Sequence, residues 1–276
     1  MHGVAKSPKI TLITRLAGVP LLHKAIRVLR VQQVVAAALG VRPIKKRLKK
    51  TGCEYRVKFL ESMLMADEVF AREIYRAAFE EREIRTFVDI GANVGYFTLY
   101  AAEYTGKKDL LGLAVDAAEK MSDEVQWHVD RNRLSNTKVR TGVAGYPPGV
   151  TTATFFVNPS NVASSAQPNL NPDVPSKGES VAVTVPAIDV AAEWKKMAGD
   201  RRIDLLKVDV EGFELDLIRN SPELLAMTDR LVLEWHKWVT SLDEIEQMLA
   251  ERGFVKRNVI ADDEHAGVAV FDRKPS

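Results

Sequence analysis

The chain has 276 residues, is 46% hydrophobic and 28% charged. That is enough apolar residue for a sizeable core and excludes wholesale disorder. The longest apolar run, Val34–Leu39 continued by Gly40 and Val41, is far short of the roughly 18 residues a spanning helix requires. One cysteine, Cys53, excludes an internal disulfide framework and a cysteine-rich zinc site, and the five scattered histidines form no His-x-x-x-His pair. The net charge of +2 conceals an asymmetry: residues 1–58 hold fourteen Lys/Arg and a single acid, Glu54, whereas the remainder is acidic.

In chain order, residues 20–39 are expected to form a basic helix: Lys24, Arg27 and Arg30 recur every third residue, Pro20 suits the first turn and Gly40 the end. Arg42–Lys50 is a basic run, Tyr55–Phe59 a short strand candidate, and Ala66–Glu83 an acid-rich helical stretch. A regular alternation then begins. Thr86–Ile90, Leu110–Val115, Lys138–Val143, Ile203–Val208 and Arg230–Trp235 read as buried strands. Helices are expected over Val94–Tyr104 and Ala117–Leu134, from about Gly212, and over Ser241–Glu251; Gly253–Ile260 and Gly267–Asp272 close the chain as a strand pair. Strands alternating with helices imply βαβ units and a mostly parallel sheet covered on both faces, which is why the strand runs are continuously apolar. The final two strands, with no helix between them, are expected to pair antiparallel at an edge. An insertion over residues 145–180 interrupts the alternation; it holds six of the twelve prolines, and Thr151–Val157 and Ser180–Val185 flank its polar centre.

Two groups of residues carry chemistry. The first is the turn Asp89-Ile90-Gly91-Ala92-Asn93-Val94-Gly95 between a strand and a helix. Glycines there permit a tight turn and close approach of a ligand to the backbone. Asp89 would repel a phosphate, and Asn93 replaces the middle glycine of a dinucleotide fingerprint, so a nicotinamide or flavin dinucleotide is disfavoured. Asp116, 27 residues beyond Asp89, ends the next strand, where an acid can accept hydrogen bonds from ribose hydroxyls. The second group is Lys207, Asp209 and Glu211, which strand alternation puts on one face, with Glu234 and His236 at the end of the following strand. Charges along a central strand are costly unless paired or functional. In an open parallel sheet ligands bind beyond the carboxyl ends of the strands, where Asp89, Asp116, Asp209 and Glu234 all fall. The structural alternative is a network in which Lys207 neutralises Glu234 or Asp209.

These residues resemble the FkbM-type family of S-adenosylmethionine-dependent methyltransferases. The resemblance spans roughly residues 55–272 and is carried by Phe87–Thr98 (FVDIGANVGYFT), Ile203–Leu215 (IDLLKVDVEGFEL) and Leu231–His236 (LVLEWH), with smaller echoes at Ala187-Ile188-Asp189 and Ser164-Ser165. One departure is Val115-Asp116-Ala117, where the family usually has Phe-Glu-Pro. The resemblance implies a Rossmann-like class I methyltransferase fold with a seven-stranded, mostly parallel sheet, preceded by a basic helical arm (1–54 arm, 55–276 methyltransferase domain). It implies S-adenosylmethionine as the donor and a hydroxyl of a sugar, glycan or natural product as the acceptor. By position, Asp89, Gly91, Ala92, Asn93 and Gly95 would shape the donor loop, Asp116 would hold the ribose, and Asp209 and Glu211 would lie near the methyl group. Asp209, Glu211, Glu234 and His236 are the catalytic candidates, with Asp209 or His236 as general base. A divalent cation between Asp209 and Glu234 has only two carboxylates to support it, so no metal is assigned.

Two other functions stay open: methylation of RNA or protein, and a methyltransferase fold that binds without turnover. Nucleic acid is disfavoured by the acidic body, and no Asn/Asp-Pro-Pro-Tyr motif of N-methyltransferases is present. The arm has three readings: packing on the acidic body, peripheral membrane contact through residues 20–50, or targeting. A cytoplasmic placement is expected, with that membrane contact as its variant.

Overall fold

The computed structural model describes residues 31–157, 164–166 and 180–275. Residues 20–30 of the expected basic helix, and most of the polar centre of the insertion, lie outside these. The first described element is helix α1 (Val31–Val41), followed by a hairpin of β1 (Ile44–Arg47) and β2 (Glu54–Val57). Next come α2 (Glu61–Phe70), α3 (Arg76–Phe79), β3 (Thr86–Ile90), α4 (Tyr96–Thr105), β4 (Leu111–Asp116), α5 (Glu119–Asn132) and β5 (Thr137–Thr141). The insertion contributes a second hairpin, β6 (Thr152–Val157) with β7 (Val181–Pro186). After it follow α6 (Val190–Ala198), β8 (Leu205–Val208), α7 (Glu214–Asn220), α8 (Pro222–Met227), β9 (Arg230–His236), α9 (Leu242–Glu251), β10 (Phe254–Asp262) and β11 (Ala266–Arg273).

Seven strands form one sheet in the order β10-β11-β9-β8-β3-β4-β5. The five from β9 to β5 run parallel, and β11 pairs antiparallel with both β9 and β10. The continuous apolar runs have the expected cause: all five residues of β3 and all four of β8 are buried. Alternation along β3 feeds two apolar layers. Phe87 joins Phe79, Phe97 and Tyr100 on one face, whereas Val88 and Ile90 join Leu206, Leu231 and Trp194 on the other. This is the Rossmann-like class I methyltransferase arrangement. Strand order reverses between β3 and β8, which opens a crevice at their carboxyl ends.

Several boundaries differ from the sequence reading. The Ala66–Glu83 stretch is not one helix, because Glu73 takes a left-handed conformation (φ 53°) between α2 and α3. The helix after β8 is divided at Ser221, and Pro222 occupies the first position of α8, where its missing N–H costs nothing. Helix α6 was not apparent; Asp189 caps it by accepting from Ala192 N at 2.9 Å. Strand β1 lies within the basic run, and its pairing with β2 places the expected boundary at residue 54 inside a hairpin.

That hairpin packs on the acidic body. Arg56 donates twice to Glu124, at 2.7 Å each, and Lys58 donates to the same carboxylate. Arg131 donates to both oxygens of Glu54, and Glu103 accepts from the backbone N–H groups of Lys50 and Thr51. His128 is fully buried between the hairpin and the β3–α4 turn: the Arg56 N–H donates to its Nε2 (3.0 Å), and its Nδ1 lies 2.8 Å from Val94 O. Packing on the body is therefore the arrangement of residues 44–58. Among the described residues no helix is long and apolar enough to cross a membrane.

Candidate active site

The turn after β3 is built by close backbone approach. Gly91 has φ 73°, and a Cβ there would lie 1.7 Å from the carbonyl oxygen of Asp209; no side chain fits. The N–H groups of Gly91 and Ala92 both donate to Val115 O, at 2.9 and 3.0 Å. Asn93 adopts φ 47°, a conformation asparagine tolerates better than most residues. Gly95 (φ 82°) then starts α4, tight against Val125. Asp116, at the end of β4, closes the turn: its Oδ2 accepts from Asn93 N at 2.7 Å and its Oδ1 from Ala118 N at 2.9 Å. Burial pushes its carboxyl up to about 7, against the pull of those two N–H groups.

A cleft opens over this turn. Gly91, Asn93, Asp116, Met121, Asp209 and Glu211 are among its walls. Of the residues expected to hold a donor, Gly91, Asn93, Asp116 and Asp209 line it. Ala92 is buried in the turn and Gly95 faces helix α5. Asp89 also lies beneath, fully buried, accepting from Thr98 Oγ1 at 2.9 Å. Its charge is met from inside the fold, with Lys207 Nζ 3.6 Å from Oδ1. Burial raises the Asp89 carboxyl more than Lys207 and Thr98 lower it.

Lys207 is the neutralising group beneath the site. Its ammonium donates to Gly91 O at 2.6 Å and lies 3.3 Å from Asp209 Oδ2, but forms no pair with Glu234. Burial alone would lower its pKa; the carboxylates of Asp209 and Asp89 outweigh burial and raise it.

Beyond Asp209 the chain departs from the strand. The strand ends with Val208, and Glu211 turns left-handed (φ 49°). The Ser165 hydroxyl holds this turn by donating to Glu211 O at 2.7 Å. Glu211 Oε2 thereby comes within 3.3 Å of His236 Nε2. On the other side of the ring, His236 Nδ1 donates to Glu214 Oε1 at 2.8 Å, and the same oxygen accepts from Gly212 N. Asp209, Glu234 and His236 each present a ligand-type atom within 4.8 Å of the others. Burial pushes Glu234 up to about 8, with Asp209 adding to the shift, and it holds Glu211 well above the carboxylate range. Burial would lower His236, but the hydrogen bond and charge of Glu214 lift it to about 10. Four carboxylates thus converge on one histidine where β8 and β9 end.

Residues 89–256, more than half of the chain, match the methyltransferase FkbM domain. The chain belongs to the FkbM methyltransferase family. The donor of this family is S-adenosylmethionine. No curated protein sequence matches the chain significantly. Among solved structures, it is similar to TrmK of M. capricolum in complex with S-adenosyl-homocysteine, at 11% identity and TM-score 0.45 over 74% of this chain and 68% of that one. A SAM dependent methyltransferase from Aquifex aeolicus aligns at 15% identity and TM-score 0.44 over 75% and 91% of the two chains.

The FkbM motif K-x-D-V-E-G-x-E holds a residue whose part the sequence did not disclose. Glu214, its last acid, is fully buried and orients His236 rather than facing the cleft; the signal was an acid in the first turn of a helix otherwise entering the core. Trp235 points to the side of β9 opposite Glu234 and His236 and packs where a Cβ on Gly267 would meet its ring. Trp238 does reach the site, with its ring 4.5 Å from that of His236.

Proposed function

We propose that this FkbM methyltransferase methylates a hydroxyl group, on a sugar, glycan or small natural product. The observation that carries the reading is that Asp209 and Glu211 belong to two spaces at once. They wall the cleft over the β3–α4 turn, and they face the pocket of Glu234 and His236. A neutral polyhydroxyl acceptor offers donors to such carboxylates, whereas a nucleic-acid phosphate would be repelled.

The cleft residues fit the donor. Gly91 leaves room where a side chain would collide with Asp209, Asp116 stands at the end of β4, and the acidic wall suits a cationic sulfonium. When bound, S-adenosylmethionine supplies an electrophilic methyl group. Asp116 would hold its ribose with the lone pairs left over from the two backbone bonds. Asp209 and Glu211 would orient the acceptor hydroxyl, and one of the two carboxylates would receive its single proton as the oxygen takes the methyl from sulfur. Alignment of this kind supplies much of the rate, and a positioned base about 10²–10⁴-fold more. His236, fixed by Glu214, and Glu234 form the far wall.

The test is transfer of labelled methyl from S-adenosylmethionine to a panel of hydroxylated acceptors, with Asp209→Asn and Glu211→Gln beside the wild type. The reading expects turnover to fall about 10²–10⁴-fold with donor binding retained. Full turnover in both variants would remove the carboxylate pair from the mechanism.

A further inference from the structure

From the juxtaposition of Asp209, Glu234 and the Nε2 of His236, we propose a divalent-cation site at the ends of β8 and β9, adjoining the donor cleft. The three ligand-type atoms lie within 4.8 Å of one another. Three atoms within 4.8 Å of one another share a point no more than about 2.8 Å from each, so reaching an ion at about 2.0–2.2 Å takes a movement of about 0.6–0.8 Å by each donor.

Three further observations point to a cation. First, His236 is 3% exposed, yet its Nε2 makes no hydrogen bond among the described residues; its contact is the ion pair with Glu211 at 3.3 Å. Its Nδ1 is taken by Glu214, a fully buried carboxylate. A carboxylate behind a histidine, fixing its orientation and the outward nitrogen, is the second layer that accompanies metal-binding imidazoles. Second, Glu234 has no hydrogen bond or ion pair with any described residue. Third, the charges do not balance. Asp209, Glu211 and Glu234 meet across the pocket with Glu214 behind the histidine, and with His236 neutral as a ligand the cation that meets these acids is Lys207, itself shared with Asp89. A buried excess of this kind is relieved by a bound cation.

Two carboxylates and an imidazole favour a first-row divalent ion such as Mn²⁺ over Mg²⁺ or Ca²⁺, which prefer all-oxygen shells. The site itself rests on geometry alone. Its role rests on the methylation reading: a cation beside Asp209 would bind the acceptor oxygen and make it more acidic, leaving Glu211 to accept the proton.

The experiment uses the full chain after chelator treatment, titrated with Mn²⁺ and followed by calorimetry and by electron paramagnetic resonance of free Mn²⁺, with Mg²⁺ and Zn²⁺ in parallel. One Mn²⁺ site is expected, lost in Glu234→Gln, a variant that breaks no protein contact. Glu214→Gln should weaken it about 10–100-fold, as removal of an outer-layer partner does. Glu83→Gln, at a surface carboxylate, should leave it unchanged. No Mn²⁺ binding by the wild type, or equal binding by Glu234→Gln with a normal melting profile, overturns the site. S-adenosylmethionine is titrated on the same samples. Donor binding without Mn²⁺ binding sinks the cation and leaves the methyltransferase reading; Mn²⁺ binding without donor binding does the reverse.

Discussion

Acidification should release the donor turn through His128, and the size of the effect follows from the contacts of that ring. The Arg56 N–H donates to Nε2, so Nδ1 carries the proton and donates to Val94 O in the turn itself. A second proton on Nε2 would set two donors against each other at 3.0 Å in a fully buried place. Burial accordingly lowers the histidine from an ordinary 6.5 to about 4. A group depressed in the folded state contributes stability that is complete above its unfolded pKa and is lost as pH falls toward the folded one. The window is therefore between 6.5 and about 4, and the loss across it is about 3 kcal/mol, at 1.36 kcal/mol per pH unit. The comparison is His128→Leu, which cannot titrate. At neutral pH the variant leaves Arg56 N–H and Val94 O unpaired and should be less stable by about 2–6 kcal/mol. Urea unfolding of both proteins, measured from about pH 7.5 down to pH 4, cancels the other titrating groups. The gap should narrow by about 3 kcal/mol on acidification. A gap that stays constant would mean that the imidazole is not held neutral, and the reasoning would fail.

Other perturbations follow from the same frame. Lys207→Met leaves Asp89 buried without its cation and should cost about 3–5 kcal/mol in urea unfolding; a loss below about 1 kcal/mol, the size of an exposed pair, would show that Lys207 is not the neutralising group. Gly91→Ala forces the turn away from Asp209 O, 1.7 Å from the added Cβ, and should abolish donor binding in calorimetry; retained affinity would show that the turn does not cradle the donor. Glu124→Gln removes the carboxylate shared by Arg56 and Lys58, whose side chains are 17% and 33% exposed. That partial exposure brings the expected cost down to about 1–3 kcal/mol, together with faster proteolysis of the β1–β2 hairpin; unchanged protease resistance would mean that the hairpin is held by other contacts.

The parallel sheet was legible because strands buried on both faces must be largely apolar, and β3, β4, β8 and β9 are so apart from Thr86, Arg230 and the site residues Asp89, Asp116, Lys207, Glu234 and His236. The donor turn was legible because its glycines and Asp116 stand at fixed places relative to those strands. The interior of the site was less so. Strand alternation carries Lys207, Asp209 and Glu211 along one face, but the chain leaves the sheet after Val208 and Glu211 is left-handed, so the meeting of its carboxylate with His236 depends on a turn that alternation does not describe. Asp89 was expected at the ligand and lies beneath the turn, because a motif fixes a position along the strand and not the side from which a lysine arrives. Glu214 and Ser165 gain their places only from tertiary contact, with His236 and with the carbonyl of Glu211. Strand β1 was hidden in a run of lysine and arginine whose ordering comes from pairing with β2, from Glu54 on that strand and from Glu103 on the body.

The central claim is that the cleft over the β3–α4 turn binds S-adenosylmethionine. Calorimetric titration of the donor into the wild type and into Asp116→Ala tests it most directly. Binding at one site with micromolar affinity, lost when Asp116 no longer closes the turn, is the result the account predicts. Absence of binding by the wild type, in a protein that unfolds cooperatively, would contradict it.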